Sequence, residues 1–93
     1  MEKNTKANGT LILSDGTTRT MEFNESHVTL SEMQACVGGY IKLVHLKDGV
    51  ILVVNEEGKL NNLKPNIIAT ELAGLTDDYI VGDVLLISSK FID

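Results

Sequence analysis

Residues 50–54 read VILVV, an unbroken apolar run, and the rest of the chain is ordered around it. A strand buried on both faces reads this way, whereas a strand wet on one face alternates. Just before it, residues 40–46 (YIKLVHL) place Tyr40, Ile41, Leu43, Val44 and Leu46 around Lys42 and His45, a strand-forming composition. Lys47-Asp48-Gly49 joins the two runs, and Asp-Gly tolerates the positive φ of a tight turn. The pair therefore predicts an antiparallel hairpin. Residues 55–59 (NEEGK) make a second polar turn, and Leu60 is a candidate start for a further short strand.

The flanking segments are shorter. Residues 1–9 (MEKNTKANG) read as a flexible polar tail. Residues 10–13 predict a strand, Ser14-Asp15-Gly16 a turn, and the alternating residues 17–23 its hairpin partner. Residues 24–28 are a polar connection. Thr29 and Glu32 have capping-box spacing, in which each side chain satisfies the other's free backbone N–H. Leu30, Met33, Cys36 and Val37 then share one helical face, and Gly38 suits a left-handed stop. A second helix starts at Pro65 or Asn66 and ends by Gly74. Residues 79–87 (YIVGDVLLI) predict the last strand, bent at Gly82-Asp83.

The order is β-β-α-β-β-α-β. Most neighbours are joined by short turns, which predicts a single α+β domain over residues 10–93. It should hold a largely antiparallel sheet of about five strands with two short helices. The 93 residues allow one domain. Thirteen acidic and eight basic residues give a formal charge of −5, which argues against a duplex nucleic-acid binder with a basic stripe. A local pocket can still oppose the global charge and hold a small anion. Cys36 is the single cysteine, so no internal disulfide forms, which suits a reducing cytoplasm. No apolar run approaches the ~20 residues of a membrane helix, and no signal peptide is evident. The expectation is a cytoplasmic protein with no membrane partner.

Catalytic chemistry is not legible. His27 and His45 are the only histidines, and no second cysteine or neighbouring histidine gives metal-ligand spacing. Ser88-Ser89 lacks a nucleophile elbow, and Gly38-Gly39 precedes a strand rather than opening a phosphate-binding helix. The expectation is no enzyme, no catalytic residue, no metal and no cofactor. One polar constellation stands out: Asn55, Lys59, Asn66 and Thr70 flank loops near the start of the second helix. Helix N-termini attract anions, and asparagine and threonine can read a base or a ribose. The same asparagines would serve equally as turn and helix caps.

VGGYI (37–41), VVNEEGKL (53–60), the spaced Asn66, Ala69 and Thr70, and IVGDVLL (80–86) resemble a family of small phage- and prophage-borne proteins catalogued as a domain of unknown function. The resemblance covers roughly residues 30–87 and implies a phage origin without an established enzyme activity. Some small phage families of similar size are oligomeric sponges for cyclic nucleotide signals of bacterial immunity, an analogy of fold and biology. It leads to the expectation of a non-catalytic anti-defence protein that sequesters a nucleotide-derived signal in the cytoplasm of an infected host. Small domains have little room for deep pockets, so a homo-oligomer with sites between subunits is expected. The ligand-binding candidates are Tyr40, Lys42, Asn55, Lys59, Asn66 and Thr70. The alternative is an acidic protein–protein inhibitor, or a mimic presenting negative charge, that blocks a host protein such as a host defence protein, with Glu71, Asp77, Asp78 and Asp83 facing a basic partner.

Overall fold

The computed structural model describes residues 6–92. Two hairpins and a final strand build one five-stranded antiparallel sheet. Strands β1 (Asn8–Ile12) and β2 (Thr18–Glu22) form the first hairpin. Helix α1 (Leu30–Val37) leads into the second hairpin, β3 (Ile41–His45) and β4 (Val50–Asn55). Helix α2 (Ile67–Leu72) precedes the last strand, β5 (Val84–Ser88). The sheet order is β2-β1-β5-β4-β3, so β5 inserts between the hairpins and joins them. The first hairpin thus belongs to the main sheet, with Thr10 opposite Leu86.

The local signals act as their chemistry requires. Thr29 Oγ accepts from the Glu32 N–H at 3.1 Å, and Glu32 Oε1 accepts from the Thr29 N–H at 2.9 Å, closing the capping box. Gly38 ends α1 in the left-handed region, with φ of 80°. Asp48 and Gly49 both take positive φ in the turn before β4.

The two central strands explain the apolar run. Ile51 and Val53 of β4, with Leu85 and Ile87 of β5, face Met33 and Val37 of α1, and Phe23, Val28 and Phe91 close that layer. Leu52, Val54 and Val84 point the other way, toward Ala69 of α2 and Ile80. Alternate residues of β4 therefore enter opposite cores, and Leu52 and Val53 are both fully buried. At ~25 cal/mol per Å2, burying such a leucine or valine contributes about 2 kcal/mol.

Three boundaries differ from the sequence reading. The chain is in place before Thr10: Ala7 is fully buried, its N–H donates to the Glu25 carbonyl oxygen at 2.8 Å, and β1 begins at Asn8. Residues 1–5 of the expected tail lie outside the described residues. Leu60 starts no strand, lying in a turn with 82% of its surface exposed. The last strand begins at Val84 rather than Tyr79. Gly82, at φ of 81°, breaks the extended chain, and before it Val81 makes one antiparallel bridge to Pro65. The apolar residues Ile80 and Val81 are buried by the loop instead of by a ladder.

Candidate functional site

Helix α2 is only six residues long and covers part of its sheet face. Beside it, on the β3 side, a groove of about 520 Å3 is left open. Lys42 and Val44 of β3, Val54 of β4 and Ile80 line its sheet side, and Lys59, Leu60, Leu75, Asp78 and Tyr79 come from the two loops. Lys42 and Val44 lie on the same side of the sheet as Val54 and Leu52 because those residues pair across the hairpin.

The groove's charged edge is a three-part contact. Lys59 forms an ion pair with Asp78, and its Nζ lies 4.5 Å from the centroid of the Tyr79 ring. The Lys59 hydrogen bond holds the Asp78 carboxyl below its ordinary pKa, helped by the Tyr79 N–H at 2.8 Å and by the charge of Lys42. Both partners of the pair are at least half exposed, so it positions the loops more than it stabilises the fold. With Glu56 also in its lining, the groove offers two cations, two carboxylates, an aromatic face and an apolar floor. Such a lining matches a ligand that is partly aromatic and carries both donors and acceptors.

The loops are held by the asparagines and threonine. Asn66 is 1% exposed, and its side chain caps α2 by accepting from the Ala69 N–H at 3.1 Å. Its Nδ2 donates to the carbonyl oxygens of Ile12 at 3.0 Å and Gly82 at 2.8 Å. Thr70 Oγ accepts from the Ile80 N–H at 2.8 Å and donates to the Asn66 carbonyl oxygen at 2.8 Å. Asn55 donates to the Val37 carbonyl oxygen at 3.1 Å and accepts from the Glu57 N–H at 2.8 Å. These three side chains therefore tie the groove's two loops to the sheet and to both helices.

Of the six sequence candidates, Lys42, Asn55 and Lys59 line the groove. Asn66 and Thr70 lie outside its lining, their polar atoms engaged by the protein itself. Tyr40 is 64% exposed and borders a separate shallow depression of about 280 Å3, with Gln34, Glu57 and Asn61. Sequence reasoning missed Tyr79, Leu60 and Leu75, and gave Asp78 only to an acidic protein-binding face. For the first three the signal was an apolar or aromatic residue inside a polar loop, where burial in the core does not explain it.

Cys36 is half-buried, and burial, followed by the charge of Glu32, pushes its thiol pKa up, away from nucleophilic reactivity. Among the described residues no group of three or more His, Cys, Asp or Glu is placed to hold a metal ion. No described helix is long and apolar enough to cross a membrane.

The fold and the groove define a small antiparallel α+β domain with one open face beside its second helix. The chain belongs to the family described as "Domain of unknown function (DUF3846)", whose model matches residues 9–91. No curated protein and no solved structure matches the chain.

Proposed function

We propose that this is a non-catalytic, phage-borne binding protein that antagonises host defence by sequestering a nucleotide-derived signal. The observation that supports it is the convergence of Lys42, Lys59 and the Tyr79 ring on one apolar-floored groove. A base packs against Tyr79, and apolar Val44, Val54 and Ile80 exclude water beneath it. Lys42 and Lys59 meet phosphate, with Lys59 turning from Asp78 toward the ligand. The carboxylates of Asp78 and Glu56 accept from base or ribose donors. The groove alternates charge sign, so it favours a nucleotide over a simple polyanion.

A thermal-shift panel of cyclic di- and trinucleotides and cyclic ADP-ribose derivatives tests this, with mass spectrometry of the recovered ligand. A large shift with intact ligand supports sequestration. Altered ligand would make the protein an enzyme instead.

A second reading rests on a different observation. Leu60, Ile67, Leu72, Leu75 and Tyr79 are all exposed, on a chain of net charge −5. Exposed apolar side chains with acidic neighbours such as Glu71, Asp77 and Asp78 suit a basic host protein. A flat nucleotide panel together with salt-sensitive capture of a host protein favours that inhibitor reading.

A further inference from the structure

Strand β3 is an edge of the sheet and pairs only with β4 among the described residues. The Glu56 N–H donates to the Tyr40 carbonyl oxygen, and the Leu46 N–H to the Val50 carbonyl oxygen, each at 2.8 Å. Even-numbered residues thus turn their backbone groups toward β4. By alternation Ile41, Leu43 and His45 turn theirs outward, a row of donors and acceptors without a strand partner among the described residues.

We propose that a second copy of this chain pairs with that row, antiparallel, about a twofold axis at Leu43. In that register Leu43 faces the partner's Leu43, Ile41 faces the partner's His45, and every outward N–H meets an outward carbonyl. Lys42 falls opposite the partner's Val44, so the edge lysine that would block a like-charged register meets an apolar neighbour. Ile41, Leu43 and Val44 are each only half-buried in one copy, so pairing removes further apolar surface from water. The other edge, β2, is a poorer candidate: its sequence is TRTME and four of its five residues are exposed.

The pairing also extends the groove. Lys42 and Val44 line it from the edge strand β3. Across the axis lies the same strand of the second copy, and the two Lys42 residues become diagonal neighbours about 7–8 Å apart, somewhat less at Cβ. Each groove is then completed by the partner's Lys42, and the joined site presents two cations to one phosphate-bearing ligand. This last step rests on the nucleotide-binding reading, whereas the edge pairing stands independently of it.

Analytical ultracentrifugation of the whole chain, paired with amide hydrogen exchange resolved by residue, tests the pairing. The expected result is a dimer in which the amides of Ile41, Leu43 and His45 are protected, with that protection lost on dilution to monomer. A monomer at high concentration, or a dimer in which those three amides exchange freely, overturns it. Leu43→Pro removes only an outward N–H and is expected to abolish the dimer, and a folded, dimeric Leu43→Pro protein overturns the pairing. Should that variant fail to fold, cross-linking decides. Leu43→Cys in a Cys36→Ala background is expected to form an intermolecular disulfide. Hydrogen-bonded antiparallel neighbours lie about 5.5 Å apart at Cα, within disulfide reach. A protected dimer with no response to any nucleotide sinks the binding reading and leaves the edge pairing intact. A ligand bound equally tightly by the Leu43→Pro monomer overturns the shared site.

Discussion

Asn66 Nδ2 donates to the carbonyl oxygen of Ile12 at 3.0 Å, a bond spanning 54 positions of the chain. It joins the end of β1 to the cap of α2, and the same amide nitrogen reaches Gly82 at the entry to β5. One buried side chain thereby fixes three segments on the groove's side of the sheet. Asn66→Ala removes the cap and leaves two buried carbonyls short of a donor, with an expected loss of about 3 kcal/mol. Asn66→Asp keeps the cap but turns a carboxylate oxygen toward both carbonyls, so it is expected to be no better. Urea unfolding of the two variants checks both expectations. An Asn66→Asp protein as stable as wild type would show that the two donated bonds contribute little.

Thr70 holds the same region by a single hydroxyl. Thr70→Val preserves shape and leaves the Ile80 N–H without its acceptor, at an expected loss of about 1–3 kcal/mol. Thr70→Ser retains the hydroxyl and should lose well under half as much. A larger loss in Thr70→Ser than in Thr70→Val would point to the methyl group rather than to the hydrogen bonds.

Much of this scaffold was legible in the sequence. Thr29 with Glu32, the VILVV run and the Asp-Gly turns state local physics that the tertiary structure keeps. The last strand was overextended because Ile80 and Val81 are as apolar as strand residues. Periodicity does not reveal that Gly82 takes positive φ and that Val81 is buried beside Gly58. The groove was legible only in part. Lys42, Asn55 and Lys59 were named, but Tyr79 and Asp78 lie 19 or more positions from them in the chain and meet Lys59 through loop packing alone. Asn66 attracted notice as a polar residue at a helix start, where a ligand contact and a cap are written with the same amino acid.

Gly9 is a close approach rather than a turn. A Cβ there would lie 2.7 Å from the backbone oxygen of Leu86 on the neighbouring strand. Gly9→Ala must push β1 from β5 and is expected to lower stability by about 2 kcal/mol. Thermal unfolding checks this, and a neutral substitution would mean that β1 shifts freely.

The Lys59–Asp78 pair carries a pH dependence of definite sign. Asp78 has a lowered pKa in the folded protein, so its contribution is present above the ordinary aspartate value of about 3.9. It is lost as pH falls through the lowered folded value. At neutral pH, Lys59→Ala should change stability little because the pair is exposed and screened by solvent. Carboxyl titration followed by NMR is expected to show Asp78 protonating below the ordinary aspartate value, and protonation at or above that value would contradict the pairing.

Cys36 provides a further check on packing. Its raised pKa keeps the thiolate scarce near neutral pH. Alkylation of the native protein at pH 8 should therefore be slower than in urea, and equal rates would place the thiol in open solvent.

The most direct measurement compares the nucleotide-induced thermal shift of wild type with that of the Lys42→Ala, Tyr79→Ala double variant. Both residues are exposed and neither belongs to a buried core cluster, so the unliganded melting temperature should change little. Ligand at 100 times its Kd stabilises by ~2.7 kcal/mol, which raises the melting temperature of a domain this size by on the order of 10 °C. The groove reading predicts that shift in wild type for at least one member of the panel, and its loss in the double variant. A shift that survives both substitutions would place the ligand elsewhere on the protein, and no shift for any nucleotide would contradict sequestration itself.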